Sequence, residues 1–183
     1  MVTILLTLVV LFWGFPASAF AEEGSSAPNQ FAQQTGDRVS GLSACARDHC
    51  PGLNQACESS PACQEARACF FQNRAFRSYP GILKCRELPG FDLWMQTWSC
   101  QFIHCGPKFM NIDAGERCLT EKCAEVTRKC FGNPECFSLK YCLIDKAGTY
   151  EECAAKHPLG KSDHDAWTEC GRSTGCFSLI GQP

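Results

Sequence analysis

Cysteine spacing is the feature that most constrains this chain. Five cysteines in residues 118–142 follow the spacing C-x4-C-x6-C-x5-C-x5-C, and five earlier ones in residues 45–69 follow the same spacing. Cys45 and its counterpart Cys118 are 73 positions apart, and the other four pairs have the same offset. The sequence therefore predicts two copies of one cysteine framework, which we call the first and the second module.

Residues 1–21 have the features of an export signal. They contain a long apolar run without a charged side chain, then Pro16 and small residues that precede two candidate cleavage sites, after Ala19 and after Ala21. A membrane anchor is the alternative, but the apolar core at 2–15 is shorter than the roughly 20 residues that span a bilayer. All 16 cysteines follow this segment. Such a cysteine density in an exported chain indicates a disulfide scaffold.

A leader and the two modules follow the signal. Residues 22–42 are small and polar without periodicity, which is typical of a flexible leader. We assign 43–107 to the first module and 108–183 to the second. The predicted fold class is a small all-α, disulfide-rich protein of two tandem modules, each built on a disulfide-stapled helical hairpin.

The first module contains clear helix signals. A Pro-Gly pair at 51–52 interrupts a segment of helical composition, and a Ser-Pro pair at 60–61 is a typical helix start. A less regular piece surrounds Cys85. Asp92 is then predicted to cap a helix whose apolar residues recur at helical spacing up to the Gly-Pro pair at 106–107.

The second module repeats these signals with one difference. Asp113 followed by Glu116 resembles a capping box, and the sequence predicts one uninterrupted helix over 114–130. The Asn-Pro pair at 133–134 then starts a helix, as the Ser-Pro pair does in the first module. Ser162 is predicted to cap the last helix.

Disulfide pairing is predicted from the hairpin geometry. Residues that face each other across an antiparallel hairpin have position numbers with a nearly constant sum, and cysteines two turns apart share a helix face. This predicts four bridges: Cys50–Cys69, Cys57–Cys63, Cys123–Cys142 and Cys130–Cys136. The nested alternative, Cys118–Cys136 with Cys123–Cys130, would break the helix over 114–130.

The remaining cysteines are expected to pair within their own module. Spacing leaves their connectivity open: Cys45, Cys85, Cys100 and Cys105 in the first module, and Cys118, Cys153, Cys170 and Cys176 in the second.

Metal binding and redox activity are the alternatives to structural disulfides for these cysteines. No C-x2-C occurs, which argues against compact zinc sites and thioredoxin-like motifs. His49 and His104 each adjoin a cysteine, but neighbouring side chains on a helix point apart, so we predict no metal site. Cys170 with Cys176, flanked by glycines, is the one candidate for a redox-active pair. The acids of 163–165, Asp-His-Asp, are expected to stabilise a helix start.

One aromatic face is the candidate binding surface. Trp94, Trp98 and Phe102 recur at helical spacing and could contact a pigment, a lipid or a protein partner. Packing against the hairpin is the competing interpretation, because small disulfide domains have little other apolar mass. The formal net charge of −2 indicates neither nucleic acid nor anionic lipid as a partner. No catalytic residue and no cofactor is predicted.

The second module resembles the N-terminal cysteine-rich domain of violaxanthin de-epoxidase. The resemblance is carried by the five cysteines of 118–142 with Asn133-Pro134, and more loosely by Glu152-Cys153 and the Trp-x-x-Cys at 167–170. The family has further cysteines where this chain has Lys146 and His157. The resemblance implies a disulfide-bonded helical module in an oxidising lumen or outside the cell. It does not imply epoxide chemistry, because no segment here corresponds to that enzyme's catalytic lipocalin-like barrel.

We therefore expect a non-enzymatic, exported or lumenal binding or scaffold subunit with a protein partner. If the resemblance extends to the compartment, this is the thylakoid lumen and the partner is a photosynthetic membrane complex. Two alternatives stay open. One is a secreted extracellular effector-like or toxin-like protein, and the other is a thiol oxidoreductase or an accessory factor of a xanthophyll de-epoxidase.

Overall fold

The computed structural model describes residues 30–180 of the 183-residue chain, with side chains described from residue 40 onward. The predicted export signal and residues 22–29 of the predicted leader lie outside the described residues. Within 30–180 the secondary structure consists of α-helices and short 3-10 segments, without a strand. The prediction of a small all-α, disulfide-rich protein is confirmed.

Each module contains five α-helices in the same order. The first has α1 (Gln30–His49), α2 (Pro51–Glu58), α3 (Pro61–Gln72), α4 (Tyr79–Cys85) and α5 (Phe91–Phe109). The second has α6 (Ala114–Lys122), α7 (Ala124–Gly132), α8 (Pro134–Ile144), α9 (Tyr150–Lys156) and α10 (Lys161–Ser173). Short 3-10 segments lie at Ala75–Arg77, Pro158–Gly160 and Cys176–Leu179.

Side-chain caps start the helices where the sequence predicts them. The Ser60 hydroxyl accepts a hydrogen bond from the backbone N–H of Cys63 at the start of α3. The Asn133 side chain has the same role at the start of α8. Asp113 and Glu116 form the predicted capping box of α6. These caps satisfy N–H groups that a helix start otherwise leaves unpaired.

Residues 30–42, which the sequence assigned to a flexible leader, are helical and form the first part of α1. The segment contains no proline, and tertiary contacts support it despite two glycines. At Gly41 the backbone lies so close to the ring of Phe109 that a Cβ would be 2.4 Å from that ring. Packing against α5 therefore orders a segment whose composition alone predicts no structure.

The single helix predicted over 114–130 is two helices. The break falls at Cys123, with φ −124° and ψ 26°, and the equivalent break in the first module falls at Cys50, with φ −127° and ψ 41°. Pro51 enforces the first break, whereas Ala124 follows the second. The bend is thus a property of the framework and does not depend on proline.

Three other predicted helix ends are shifted. Asp92 and Ser162, predicted as N-caps, lie inside the first turns of α5 and α10, which begin after Gly90 and Gly160. α5 also continues through the Gly-Pro pair at 106–107, because a proline in the last turn removes one hydrogen bond without ending the helix.

All 16 cysteines are bridged, and the two modules have the same connectivity. The bridges are Cys45–Cys105, Cys50–Cys100, Cys57–Cys63 and Cys69–Cys85 in the first module. Those of the second are Cys118–Cys176, Cys123–Cys170, Cys130–Cys136 and Cys142–Cys153. The prediction that every cysteine pairs within its own module is confirmed.

Of the four predicted bridges, the two that close the tight turns are confirmed and the two outer ones are wrong. Cys57–Cys63 and Cys130–Cys136 form as predicted, whereas the predicted Cys50–Cys69 and Cys123–Cys142 pairs do not form. The nested alternative is also absent from the bridge set.

The bends at Cys50 and Cys123 explain the wrong pairs. The constant-sum argument requires one straight helix from the outer to the inner cysteine, but the chain turns at the outer one. Cys50 is thereby bonded to Cys100 in α5, and Cys69 is free to bond Cys85 in α4. In the second module Cys123 is bonded to Cys170 in α10 and Cys142 to Cys153 in α9 in the same way.

One aromatic core joins the two modules. Phe102 of α5 lies against Phe131 of α7 with ring centroids 5.1 Å apart, and Phe70 of α3 lies 6.1 Å from Phe137 of α8. These rings belong to one contiguous buried cluster. The two modules therefore share a core across the predicted boundary at residues 107–108.

Two equivalent glycines allow backbone to touch backbone. A Cβ added at Gly90 would lie 2.2 Å from backbone atoms of Ala62, and one added at Gly160 would lie 2.2 Å from the backbone nitrogen of Cys136. The last helix of each module thus starts directly against the first turn of the third helix.

We predict that Gly160→Ala lowers the free energy of unfolding by about 2–3 kcal/mol, because the clashing atoms are backbone and cannot rotate away. Gly52→Ala is the matched control, since no atom lies within 4 Å of its added Cβ. The control should change stability by less than about 1 kcal/mol. Urea unfolding measures both variants, and equal stability of the two would contradict the close approach.

The bridges should differ in their contribution to stability. In the chain-entropy account, Cys123–Cys170, which joins residues 47 apart, contributes about 4 kcal/mol. Cys130–Cys136, which joins residues 6 apart, contributes about 2 kcal/mol. Replacing both cysteines of a bridge with serine should therefore destabilise more for the first pair. Urea unfolding of the two double variants tests this order, and the reverse order would refute it.

Candidate functional site

The predicted aromatic face lies mainly inside the protein. Trp94 is 2% exposed and Phe102 is 5% exposed, while Trp98 is partly buried. The Trp94 and Trp98 rings both pack on Phe70, with centroid distances of 5.7 Å and 5.4 Å. The three residues thus contribute to the core, and Trp98 and Phe102 also line a cavity.

A largely apolar cavity of about 540 Å³ lies beside this core. It is bounded by α5, α6, α7, α8, α10 and the C-terminal 3-10 segment, and we call it the Lys140 cavity. Its apolar lining consists of Phe102, Leu119, Phe131, Leu143, Ile144, Trp167, Phe177 and Ile180. A smaller cavity of about 230 Å³ adjoins it, and Lys140 lies in the wall that the two share.

Lys140 contributes a cation to this shared wall. It lies on α8 and is 9% exposed. Its Nζ atom lies 4.3 Å from the ring centroid of Phe131, 4.8 Å from that of Tyr141 and 5.5 Å from that of Trp167. A fourth ring, Phe137, is 5.7 Å away. The ammonium is therefore held among the negative faces of aromatic rings, which attract a cation.

The ammonium of Lys140 has no anionic partner in contact. Within the described part of the chain, Nζ forms neither an ion pair nor a hydrogen bond. Burial lowers the pKa of Lys140 to about 8, although Glu116 and Asp113 act in the opposite direction. Desolvation thus outweighs the attraction of both carboxylates.

Polar groups around the cavity are also perturbed by burial. Burial raises the pKa of Tyr141, whose hydroxyl donates a hydrogen bond to the backbone carbonyl of Phe76. Burial lowers the pKa of His164, and its Nδ1 lies 3.4 Å from the Thr168 hydroxyl. Trp167 contributes a buried indole N–H without a hydrogen-bond partner. The charged side chains of Arg77, Asp113 and Glu116 also line the cavity, which therefore combines a mainly apolar surface with a set of polar groups, as ligand pockets do.

A second polar cluster ties the modules together. Tyr79 Oη lies 2.8 Å from His157 Nε2, and His157 Nδ1 lies 2.9 Å from a carboxylate oxygen of Glu135. Arg86 donates to the other carboxylate oxygen. The other terminal nitrogen of Arg86 lies 3.1 Å from His157 Nδ1, so this ring nitrogen contacts both a carboxylate that can only accept and a guanidinium that can only donate.

The hydroxyl, imidazole and carboxylate of Tyr79, His157 and Glu135 follow one another as in a catalytic triad, but the hydroxyl is neither activated nor accessible. Burial raises the pKa of Tyr79, so its hydroxyl is not activated toward ionisation. Tyr79 and His157 are 7% and 2% exposed, which leaves a substrate no access to them. We interpret the cluster as a structural link between the modules.

The histidines considered as metal ligands and the candidate redox pair were also located in the structure. His49 and His104 stack with ring centroids 5.4 Å apart, which the sequence did not predict. No cluster of three metal-ligating side chains occurs among the described residues. Cys170 and Cys176 bond to Cys123 and Cys118, so the proposed redox pair does not form.

The two acidic side chains of residues 163–165 form a hydrogen bond and an ion pair at the start of α10. Asp163 accepts a hydrogen bond from Asn133 at 2.8 Å, which links the starts of α10 and α8. Asp165 pairs with Lys161 at 2.6 Å. Only the histidine between them, His164, belongs to the Lys140 cavity.

Sequence reasoning missed Lys140, although a signal was present. Residues 136–142 of α8 are all buried, and Lys140 is the only charged residue among them. A lone lysine in the middle of a short apolar helix, between two cysteines, marks a buried cation.

Comparisons with known proteins identify no relative: no family model, no curated protein and no solved structure matches the chain. The resemblance to the de-epoxidase domain therefore stays a prediction. No helix within residues 30–180 combines the length and the apolar character that crossing a membrane requires. The bridges fit a protein that folds in an oxidising compartment.

We predict that Lys140→Met changes the pH dependence of stability. The pKa of Lys140 is about 8 in the folded protein, against about 10.4 in an unfolded chain. Between these values the unfolded chain binds the proton more tightly, so stability rises with pH. This rise, about 3 kcal/mol in total, should disappear in the variant.

Urea unfolding between pH 7 and 10 measures this difference. The matched control is Lys122→Met, because Lys122 is an exposed lysine at the end of α6. Its stability should follow that of the wild type with pH. If the Lys140→Met curve also ran parallel to the wild type, Lys140 would not be buried as a cation.

Proposed function

We propose that this protein is a non-enzymatic binding subunit of an oxidising compartment. Its bridged helices hold open the Lys140 cavity for a small, mostly apolar ligand. The observation that carries the proposal is the cavity itself, which at about 540 Å³ falls within the usual range of ligand pockets. Its apolar lining, with a limited set of charged groups that includes Lys140, Arg77 and Glu116, is typical of a binding site in which polar groups orient the ligand.

The disulfide framework supports binding without a conformational change. Bridges surround the cavity: Cys118–Cys176 joins α6 to the C-terminal 3-10 segment, and Cys123–Cys170 joins the start of α7 to α10. A pocket formed before binding avoids the entropy cost of ordering its walls. The bridging of all cysteines also favours a structural role for them over a thiol oxidoreductase, which needs a reactive pair.

The compartment and a protein partner remain part of the proposal. The resemblance of the second module favours the thylakoid lumen and a photosynthetic membrane complex, and the bridges are equally compatible with secretion. Fractionation of the source cells separates these possibilities. Co-migration with a photosystem would support the lumenal subunit, and recovery from the medium alone would support the extracellular alternative.

We predict that Leu143→Trp blocks ligand binding. Leu143 is partly buried in the cavity lining, so a larger ring fills the space that a ligand requires. The affinity for the uncharged fluorescent probe N-phenyl-1-naphthylamine should fall by about tenfold or more, which corresponds to about 1.4 kcal/mol. Fluorescence titration measures it.

Leu159→Trp is the matched control for this experiment. Leu159 is 81% exposed and lies outside the Lys140 cavity. Its variant should bind the probe as the wild type does. Absence of probe binding to the wild-type protein, or equal loss in both variants, would refute the binding function.

A further inference from the structure

We infer that the ligand of the Lys140 cavity is a carboxylate amphiphile. Its carboxylate pairs with the Lys140 ammonium, and its hydrocarbon part lies along the apolar lining. This inference rests on the proposed binding function and specifies the chemical class of the ligand. The three arguments for it concern the cation, the shape of the cavity and the charges that face it.

The first argument is the cost of the cation. Lys140 is largely desolvated, and an ammonium in such a site without an anionic partner in contact is unfavourable. Aromatic rings offset only about 2 kcal/mol of that cost. A carboxylate that enters the cavity turns this isolated charge into a buried, hydrogen-bonded ion pair. The wild-type protein therefore carries an unpaired group that one class of ligand satisfies.

The second argument is the position of the cation in the cavity. Lys140 lies in the wall shared by the two cavities, whereas Ile144 and Ile180 are 55% and 52% exposed at the periphery of the larger one. Leu119 and Phe177 continue the apolar lining. A head group at Lys140 thus leaves room for an apolar body that extends toward the surface.

The third argument is the charge that other ligand classes would meet. An organic cation would face the Lys140 ammonium, and that ammonium already occupies the space between the rings. A neutral alcohol would leave the ammonium without a counter-charge. Glu116 also lines the cavity but forms no ion pair with Lys140, so a ligand carboxylate is the group that gives this ammonium a contacting counter-charge.

The groups facing Lys140 make this choice dependent on pH. They are Arg77 of the 3-10 segment, Asp113 and Glu116 at the start of α6, Tyr141 on α8 and His164 on α10. Burial lowers the pKa of His164 below its usual value near 6.5 and raises that of Tyr141 above its usual value near 10. Between pH 7 and 9.5, the shifted group that changes its charge is Lys140, with a pKa of about 8.

The test compares two probes of equal chain length, dodecanoic acid and 1-dodecanol. Each displaces N-phenyl-1-naphthylamine from the full-length protein, and the displacement gives its affinity. At pH 7 the acid should bind the wild type at least about tenfold more tightly than the alcohol, as a charge-assisted hydrogen bond of about 1.5–3 kcal/mol requires. At pH 9.5 the acid should lose about tenfold in affinity and the alcohol should not.

Two variants assign this preference to Lys140. Lys140→Met should lose the preference for the acid and bind the alcohol within about threefold of the wild type. Lys122→Met, with its exposed lysine, should keep the wild-type preference. Circular dichroism and urea unfolding of the same samples establish that both variants are folded. If Lys140→Met fails to fold, Lys140→Gln replaces it in the same comparison.

The outcomes separate this inference from the binding function. Equal affinity for acid and alcohol, a preference that survives in Lys140→Met, or tighter binding of dodecylamine than of the acid would overturn the carboxylate assignment. In those cases the cavity would still be a binding site. If the wild type binds neither the acid, the alcohol nor the fluorescent probe, both the inference and the proposed function fail.

Discussion

The bridge from the helix bend to the last helix is the constraint on which the rest of the fold depends. Cys50–Cys100 and Cys123–Cys170 attach each bend to α5 and α10. These bridges determine the direction in which the first two helices of each module leave the bend. The aromatic side of α5 in turn packs against the second module, so that two small modules bury one common core.

The same framework leaves space for a ligand and a cation within the core. Small disulfide-rich domains cannot rely on apolar burial alone, and cross-links allow them to retain features that cost stability. Lys140, surrounded by rings without an ion pair, is such a feature. A buried charge that lowers stability and lines a cavity is a common property of functional sites.

Much of the local structure could be predicted from the sequence. Ser60, Asn133 and the Asp113–Glu116 pair indicate helix starts because capping depends on a few neighbouring residues. The bridges that close the tight turns are local for the same reason.

The partners of Cys50 and Cys123 could not be predicted, because they follow from a bend that is marked by proline in one module and by nothing in the other. The cavity could not be predicted either, since Lys140, Trp167 and Phe131 come from three helices.

The sequence by itself determined the duplicated framework, the helical class and the restriction of every bridge to its own module, because spacing and capping act over short distances along the chain. Only the tertiary structure decided which cysteines bond across each module, and it alone joined the modules through a common core. It also turned the predicted aromatic face inward, and it placed Lys140 among the rings of other residues: Phe131, Phe137, Tyr141 and Trp167. These features depend on how separate helices approach each other, and that approach is set by bends and by backbone contacts such as those at Gly90 and Gly160.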